Sequence, residues 1–222
     1  MIKIFEDTTK NPLEKIGIMS GICWNSSIDE KDKNITRAEK CISSEHGRVL
    51  EFVNVEILID GYSARCIREL YTHIGGMPTR LQESTRYVNC NNFSFYNPFN
   101  DKEKSIVYEK IMSDIKSSYQ KLLDMGASKE DSANVLPLGM NTKMILKCNL
   151  RMLVNFMNQR LCTRAYKEIY KLAQDIKKAL FVYSDEWKWI CDNLFVAKCE
   201  KQGYCVEENC CGKNQKRFGH FV

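Results

Sequence analysis

The sequence contains no run approaching the roughly 20 consecutive apolar residues that a membrane-spanning helix needs, so no membrane partner is expected. Its first residues, MIKIFEDTTKNPLEKIG, hold no apolar segment of secretory-signal length, and the expected location is the cytoplasm. Lysine and arginine never form a block longer than three, and they are scattered among 28 acidic residues, leaving a formal net charge of +5. That surplus is mild. It suits a small anionic ligand such as a nucleotide, and it falls short of the footprint of a protein dedicated to nucleic-acid polymers. No internal repeat and no low-complexity linker interrupts the 222 residues, so 1–197 reads as one domain and 198–222 as a Cys-rich tail.

With hydrophobic residues at 44% and charged residues at 27%, the chain has the balance of a soluble protein able to bury a core. The cysteines number eleven, an odd count, and without a secretion signal a disulfide framework is not expected. Cys23, Cys41, Cys66, Cys90, Cys148 and Cys162 are dispersed among apolar neighbours and read as small buried hydrophobes. The other five, Cys191, Cys199, Cys205, Cys210 and Cys211, crowd the C-terminal end, the last four at spacings of six, five and one. They lack the two-residue gap of a zinc knuckle, so no metal is expected; structural zinc, with His220 as a substitute ligand, is the alternative to a reduced tail.

Periodicity sets out the elements. In VLEFVNVEILI, Val53, Val55, Ile57 and Ile59 alternate with polar and apolar partners at the period of a strand. IGIMSGICW is an apolar stretch, ITRAEKCISS a short helix, and DGYSARCIRELY a helix carrying Ile67, Leu70 and Tyr71. VNCNNFSFYNP reads as extended. Ile106, Tyr108, Ile111, Ile115, Tyr119 and Leu122 form a helical stripe closed by Gly126. SKEDSANVLP is a short helix stopped by Pro137, and LGMNTKMILKC a strand. From Asn149 to Leu180 runs the longest helical pattern, broken near Cys162 and Thr163, and SDEWKWICDNLFVAKC is a final helix opening on a Ser-Asp cap. Trp187 and Trp189 on that helix read as packing or subunit contacts. The fold class is α/β (α+β): a mixed sheet flanked by helices, with a long central helix.

Two segments carry chemistry. In CNLRMLVNFMNQR the apolar side of a helix, Leu150, Leu153, Val154, Met157 and Leu161, is interleaved with Asn149, Arg151, Asn155, Asn158 and Arg160. Asparagine is a poor helix former because its amide competes with the backbone, so three within ten residues suggest amides kept for hydrogen bonds; a half-exposed polar face is the alternative. In THIGGMPTRLQESTRY, Gly75 and Gly76 permit positive φ or close backbone approach, and QESTRY offers an amide, a hydroxyl and an arginine, the donor types that hold phosphate. A glycine turn without a ligand is equally compatible with the residues.

HGRVLEF, THI…LQESTRY and VLPLGMNTKMILKCNLRMLVNFMNQR together resemble the flavin-dependent thymidylate synthases, over roughly residues 15–200. The most specific part is N-x-R-x-L-x-N-F-x-N-x-R from Asn149 to Arg160, and the S-x-R-Y of Ser84 to Tyr87 is the second anchor. The resemblance implies FAD as cofactor, held by Asn149, Arg151 and Asn155 with His46, Arg48, His73 and Gln82 beside it. It implies that Glu69, Thr72, Gln82, Glu83, Ser84, Thr85 and Arg86 face the nucleotide, Ser84 and Arg86 near its phosphate. Arg160 would be catalytic, touching the pyrimidine edge and favouring loss of the N3 proton. The implied reaction moves a one-carbon unit from methylenetetrahydrofolate to C5 of dUMP, with a hydride from reduced flavin and NADPH as reductant, in a homotetramer whose sites are built from several subunits.

The departures from that pattern are specific. Where the family has Arg-His-Arg and seven residues before its serine, this chain has Thr72-His73-Ile74 and nine residues before Ser84. Ala133 stands where an arginine is usual, and Glu69 where glutamine is. Three arginine–phosphate bonds are worth about 1.5–3 kcal/mol each, and Arg80, Arg48 and Lys143 are the cations available to restore them. Two further readings therefore stand beside dUMP methylation. One is a same-fold flavoenzyme methylating or hydroxymethylating another pyrimidine nucleotide such as dCMP; the other is a non-catalytic nucleotide-binding or scaffold protein.

Overall fold

The structure is a computed structural model that describes residues 1–76 and 78–215. Four strands, β1 (Ile2–Ile4), β2 (Asn54–Ser63), β3 (Thr79–Gln82) and β4 (Asn141–Asn149), form one sheet in the order β1-β2-β4-β3. Every neighbouring pair is antiparallel. This corrects the expected mixed sheet: alternation along one strand reveals its buried face but not the direction of the strand beside it. Val53, Val55, Ile57 and Ile59 are all buried, as the period-two pattern predicts, and Met144, Leu146 and Cys148 of β4 bury the matching face. On the other face Ile145 and Leu81 stand exposed between the ion pairs Lys147–Glu56 (2.7 Å) and Lys143–Asp60 (3.4 Å).

The helices are α1 (Pro12–Gly21), α2 (Lys31–Ser43), α3 (Ala64–His73), α4 (Lys102–Asp124), α5 (Lys129–Ser132), α6 (Leu150–Arg160), α7 (Lys167–Phe181), α8 (Asp185–Asn193) and α9 (Lys198–Gln202), of which α1, α2, α3, α6, α7 and α8 contribute to the core behind the buried face. The long helical pattern breaks between α6 and α7, beside Cys162 and Thr163 as the sequence suggests. Serine caps start two helices where expected, Ser184 accepting from the Trp187 amide and Ser128 from that of Asp131; Asn149 caps α6 as well, accepting from Met152. Helix α8 is not the last, because the short α9 follows it. HGRVLEF, which the strand pattern overlaps, forms a 3-10 turn over Gly47–Phe52 before β2 begins. The segment from 88 to 98 is irregular, joined to the sheet through the Phe95–Met140 bridge.

The main core joins β2 and β4 to α3, α6, α7 and α8 through residues such as Ile67, Leu70, Phe156, Ile169, Ile176 and Trp187. The α4 stripe departs from its expected burial. Tyr119 is buried, but Ile106 is 57% and Ile111 49% exposed, and no α4 side chain enters the main core. The period finds an apolar face without saying what covers it. Of the six cysteines expected inside, Cys41, Cys66, Cys90 and Cys148 are buried, Cys162 is half-buried and Cys23 is exposed. Glu168, on α7, is also buried: its carboxylate accepts from the Ser63 amide at 2.7 Å and the Ser63 hydroxyl at 2.5 Å, pinning the start of α3 to α7.

Candidate functional site

Helix α6 carries the residues nominated from sequence, and the fold sorts them into different surroundings. Asn149 is its N-cap, its amide oxygen accepting from the Met152 amide at 3.0 Å. Arg151 and Asn155 lie exposed one turn apart. Arg151 pairs with Glu51 at 2.6 Å. Asn155 donates to the His73 carbonyl at 3.4 Å and accepts from Gln159 at 3.2 Å. Asn158 does not share their surface. Its amide donates to the carbonyls of Leu194 (2.9 Å) and Val196 (2.8 Å), tying α6 to the chain beyond α8, so this asparagine is a structural clamp.

The glycine turn packs on the same helix. Gly75 and Gly76 both have positive φ, at 74° and 62°. A Cβ on Gly76 would lie 2.3 Å from the Met152 terminal carbon, and one on Gly75 would lie 3.4 Å from the Asn155 amide nitrogen. Glycine is needed there for close approach to α6 as well as for backbone angle. Gly47 approaches Arg151 in the same way, at 3.4 Å, bringing the His46–Arg48 segment to this face. At the far end of α6, Arg160 is only 15% exposed, and its Nε lies 3.5 Å from Glu69 Oε1 on α3. That Nε is buried and makes no hydrogen bond among the described residues. The ion pair and the unmade bond are compatible: the two charges are close, but the N–H does not point at the carboxylate.

Arg151 and Asn155 therefore share an exposed face with the glycine turn, the His73 carbonyl and the His46–Arg48 segment, whereas Arg160 and Glu69 pair at the far end of α6, where Arg160 lines a pocket with Asn158. The QESTRY residues lie elsewhere in the chain. Arg86 pairs with Glu130 at 3.0 Å and Lys129 donates to the Tyr87 carbonyl at 2.9 Å, fastening this loop to α5. Glu83 and Thr85 line a cleft of about 290 Å³ with Asp60, Asn141 and Lys143. Ser84 is half-buried, its Oγ accepting from the Arg86 amide at 3.4 Å. Gln82 bridges Tyr71 (3.1 Å) and Thr142 (3.3 Å) at the sheet edge. Sequence reasoning missed Glu51, Glu130 and Tyr71, each the direct partner of a cation. Glu51 sits within HGRVLEF and could have been flagged as a carboxylate in an otherwise basic and apolar motif.

The thiols split by environment. Burial pushes the Cys66, Cys148 and Cys191 thiols well above their ordinary range, the last two to about 12, leaving them unfit as nucleophiles. Cys211 is exposed and its thiol is held below the usual value, chiefly by a hydrogen bond from Thr163. Among the described residues no three His, Cys, Asp or Glu side chains gather as a metal site, so Cys199, Cys205, Cys210 and Cys211 do not form one there; His220 lies outside the described residues. Cys199 and Cys205 instead line a pocket of about 250 Å³ together with Asn158 and Arg160.

The fold is shared with a solved structure. The crystal structure of a UMP/dUMP methylase, PolB from Streptomyces cacaoi bound with 5-Br dUMP, superposes with a TM-score of 0.72 at 17% identity, covering 89% of this chain and 96% of that one. The chain belongs to the thymidylate synthase complementing protein family, whose model matches residues 5–181, and is an enzyme of the methyltransferase type. The flavin-dependent thymidylate synthase of Pyrococcus furiosus is 27% identical over 229 residues, spanning 95% of this chain and 93% of that protein. The one from Nitratidesulfovibrio vulgaris is 28% identical over 192 residues, spanning 80% and 75%.

Proposed function

We propose that this protein is a flavin-dependent enzyme that transfers a one-carbon unit from methylenetetrahydrofolate to C5 of a pyrimidine deoxynucleotide, converting dUMP to dTMP, with NADPH as reductant. The observation that carries this reading is Arg160. A guanidinium shielded from water, held beside Glu69 and left with a buried N–H unbonded, is costly for a protein that has no use for it. Set against a pyrimidine edge, it favours the anion left by the N3 proton and so raises electron density at C5.

The residues on α6 fit a flavin as one wall of its site. Arg151 spends one guanidinium nitrogen on Glu51 and keeps its other donors, and the positive-φ glycines hold their backbone close to the helix. Asn149, Arg151 and Asn155, with His46, Arg48 and His73 beside them, would hold FAD, which, once reduced by NADPH, would supply the hydride. This wall is open in a single chain, which supports a homotetramer in which other copies complete it. Exposed Ile106, Val107 and Ile111 on α4, and Leu81 and Ile145 on the sheet, are apolar surface for such contacts. The QESTRY loop, fastened to α5 away from Arg160, would then serve a neighbouring copy's nucleotide through Glu83, Ser84, Thr85 and Arg86. We place the whole of 1–197 in one domain, in the cytoplasm.

One observation favours dCMP as the alternative substrate. The Glu69 carboxylate beside Arg160 is an acceptor, and it matches the exocyclic amine of cytosine better than the O4 of uracil. Purified protein that is yellow, with FAD absorbance, supports an enzyme. Supplying methylenetetrahydrofolate and NADPH with dUMP or dCMP, then weighing the product, identifies the substrate and separates methyl from hydroxymethyl. R160A should lower turnover by about 100-fold or more, at about 2.7–4 kcal/mol for a lost charge-stabilising donor. Colourless protein that takes up no FAD would leave only a scaffold.

A further inference from the structure

Four of the cations the sequence nominates for anion binding are accompanied by a carboxylate. Arg86 has Glu130 at 3.0 Å, Arg151 has Glu51 at 2.6 Å, Arg160 has Glu69 at 3.5 Å and Lys143 has Asp60 at 3.4 Å. Arg80 differs. No ion pair involves it among the described residues, and its guanidinium carbon sits 3.4 Å from the centroid of the Tyr71 ring.

That seat is built from both strand and helix. Arg80 and Gln82 of β3 pair with Leu146 and Met144 of β4, which are buried on the helix-covered face, so both project toward α3. Gln82 accepts a hydrogen bond from the Tyr71 hydroxyl at 3.1 Å and donates from its own amide to Thr142 at 3.3 Å, which fixes the ring beneath the guanidinium. Stacking on an aromatic face holds the planar fork while leaving its edge donors free, the geometry that suits a phosphate. Tyr71 immediately precedes Thr72, where the resembling family carries the first arginine of its triplet. Arg68, one turn earlier on α3, is also exposed and also without a carboxylate partner among the described residues. The two extra residues before Ser84 lengthen the connection through which β3 returns Arg80 to this helix.

We infer that Arg80, seated on Tyr71, with Arg68 one turn before that ring on α3, is a phosphate-binding arginine of this enzyme, replacing the charge missing from Thr72 and Ile74. The inference rests on the nucleotide reading above. Two ligands bring the same chemistry: the 5′-phosphate of the pyrimidine nucleotide and the pyrophosphate of FAD.

The test is equilibrium binding of dUMP, dCMP, deoxyuridine and FAD to the full chain and to R80Q and R80K, with melting temperature as a control for folding. R80Q should bind one phosphate-bearing ligand at least 10-fold more weakly, dUMP or dCMP if the site serves the substrate and FAD if it serves the cofactor. Deoxyuridine binding should be unchanged, and R80K should recover part of the loss. R80Q binding every phosphate-bearing ligand within twofold of wild type, at an unchanged melting temperature, would make the stack purely structural and overturn the inference while sparing the nucleotide reading. A wild-type protein that binds neither pyrimidine monophosphate nor FAD would overturn both.

Discussion

Replacing Glu168 by alanine isolates the contact that anchors α3, the helix carrying Glu69 and Tyr71. Glu168 is 2% exposed and Ser63 1%, so neither can turn to water when the other is removed. In E168A the Ser63 amide and hydroxyl each lose a charged acceptor, at 2.7 and 2.5 Å. An unsatisfied buried donor costs about 1–3 kcal/mol. The hydroxyl retains one role, accepting from the Cys66 amide at 3.1 Å as the α3 cap, so its loss falls at the low end. The expected destabilisation is about 3–4 kcal/mol, a large share of the roughly 5–15 kcal/mol that holds a domain together. For a chain of this size that corresponds to roughly 10 °C in melting temperature. E168Q keeps one carbonyl acceptor but turns an amide donor toward a donor, and should fall between. Urea unfolding followed by circular dichroism, at fixed protein concentration so that any assembly contributes equally, measures each step. Should E168A unfold within about 0.5 kcal/mol of wild type, the carboxylate is not the anchor and the account of α3 placement is wrong.

Three further outcomes follow from the same contacts. G76A forces alanine to φ 62° and sets its Cβ 2.3 Å from the Met152 side chain, so it should cost about 1–3 kcal/mol, and M152A in the same chain should return part of it in an unfolding titration. The Glu56 carboxyl is held below its ordinary range, chiefly by the Lys147 hydrogen bond and next by Asn54. Its stabilisation is therefore full above the unfolded glutamate pKa of about 4.3 and lost as pH falls through the lower folded value, so E56Q should flatten the acid side of a stability–pH curve. Alkylation of the native protein should label Cys211 before Cys66, Cys148 or Cys191, which should react only on unfolding; peptide mass mapping reads the order.

Much of the fold was legible because burial imposes short-range rules. The alternation in β2, the apolar side of α6 and the serine caps at 128 and 184 are local signals, each decided within about one turn or one strand. What failed to show was relational. Strand direction depends on which strand lies alongside, and β2 finds its neighbour in β4, far along the chain, where Ser63 meets Asn141 and Asn54 meets Asn149. The α4 stripe had the right period and the wrong destination, because Ile106 and Ile111 face out while Tyr119 packs beside Cys90. Asn158 had the right residue type, spacing and helix for a ligand contact. Only the approach of Leu194 and Val196 shows that its amide is already used.

The candidate site was half legible for the same reason. A guanidinium's place on a helix can be read from spacing, but its availability depends on a carboxylate brought in from elsewhere. Those carboxylates do not all restrain their partners equally. Arg151–Glu51 and Arg86–Glu130 are exposed on both sides, at 56% and 43% and at 60% and 62%, and such pairs are worth about 0–1 kcal/mol. A phosphate or flavin oxygen can take those arginines at little cost, so their pairing in the free protein does not argue against a binding role. Arg160–Glu69 is shielded, at 15% and 23%, and separating it would strand a charge with little water to receive it. The pair is therefore expected to stay together during turnover. On the proposed reading a base bound there would meet the donor and the acceptor together, and Glu69, rather than the arginine shared with the family motif, would be the residue that discriminates uracil from cytosine.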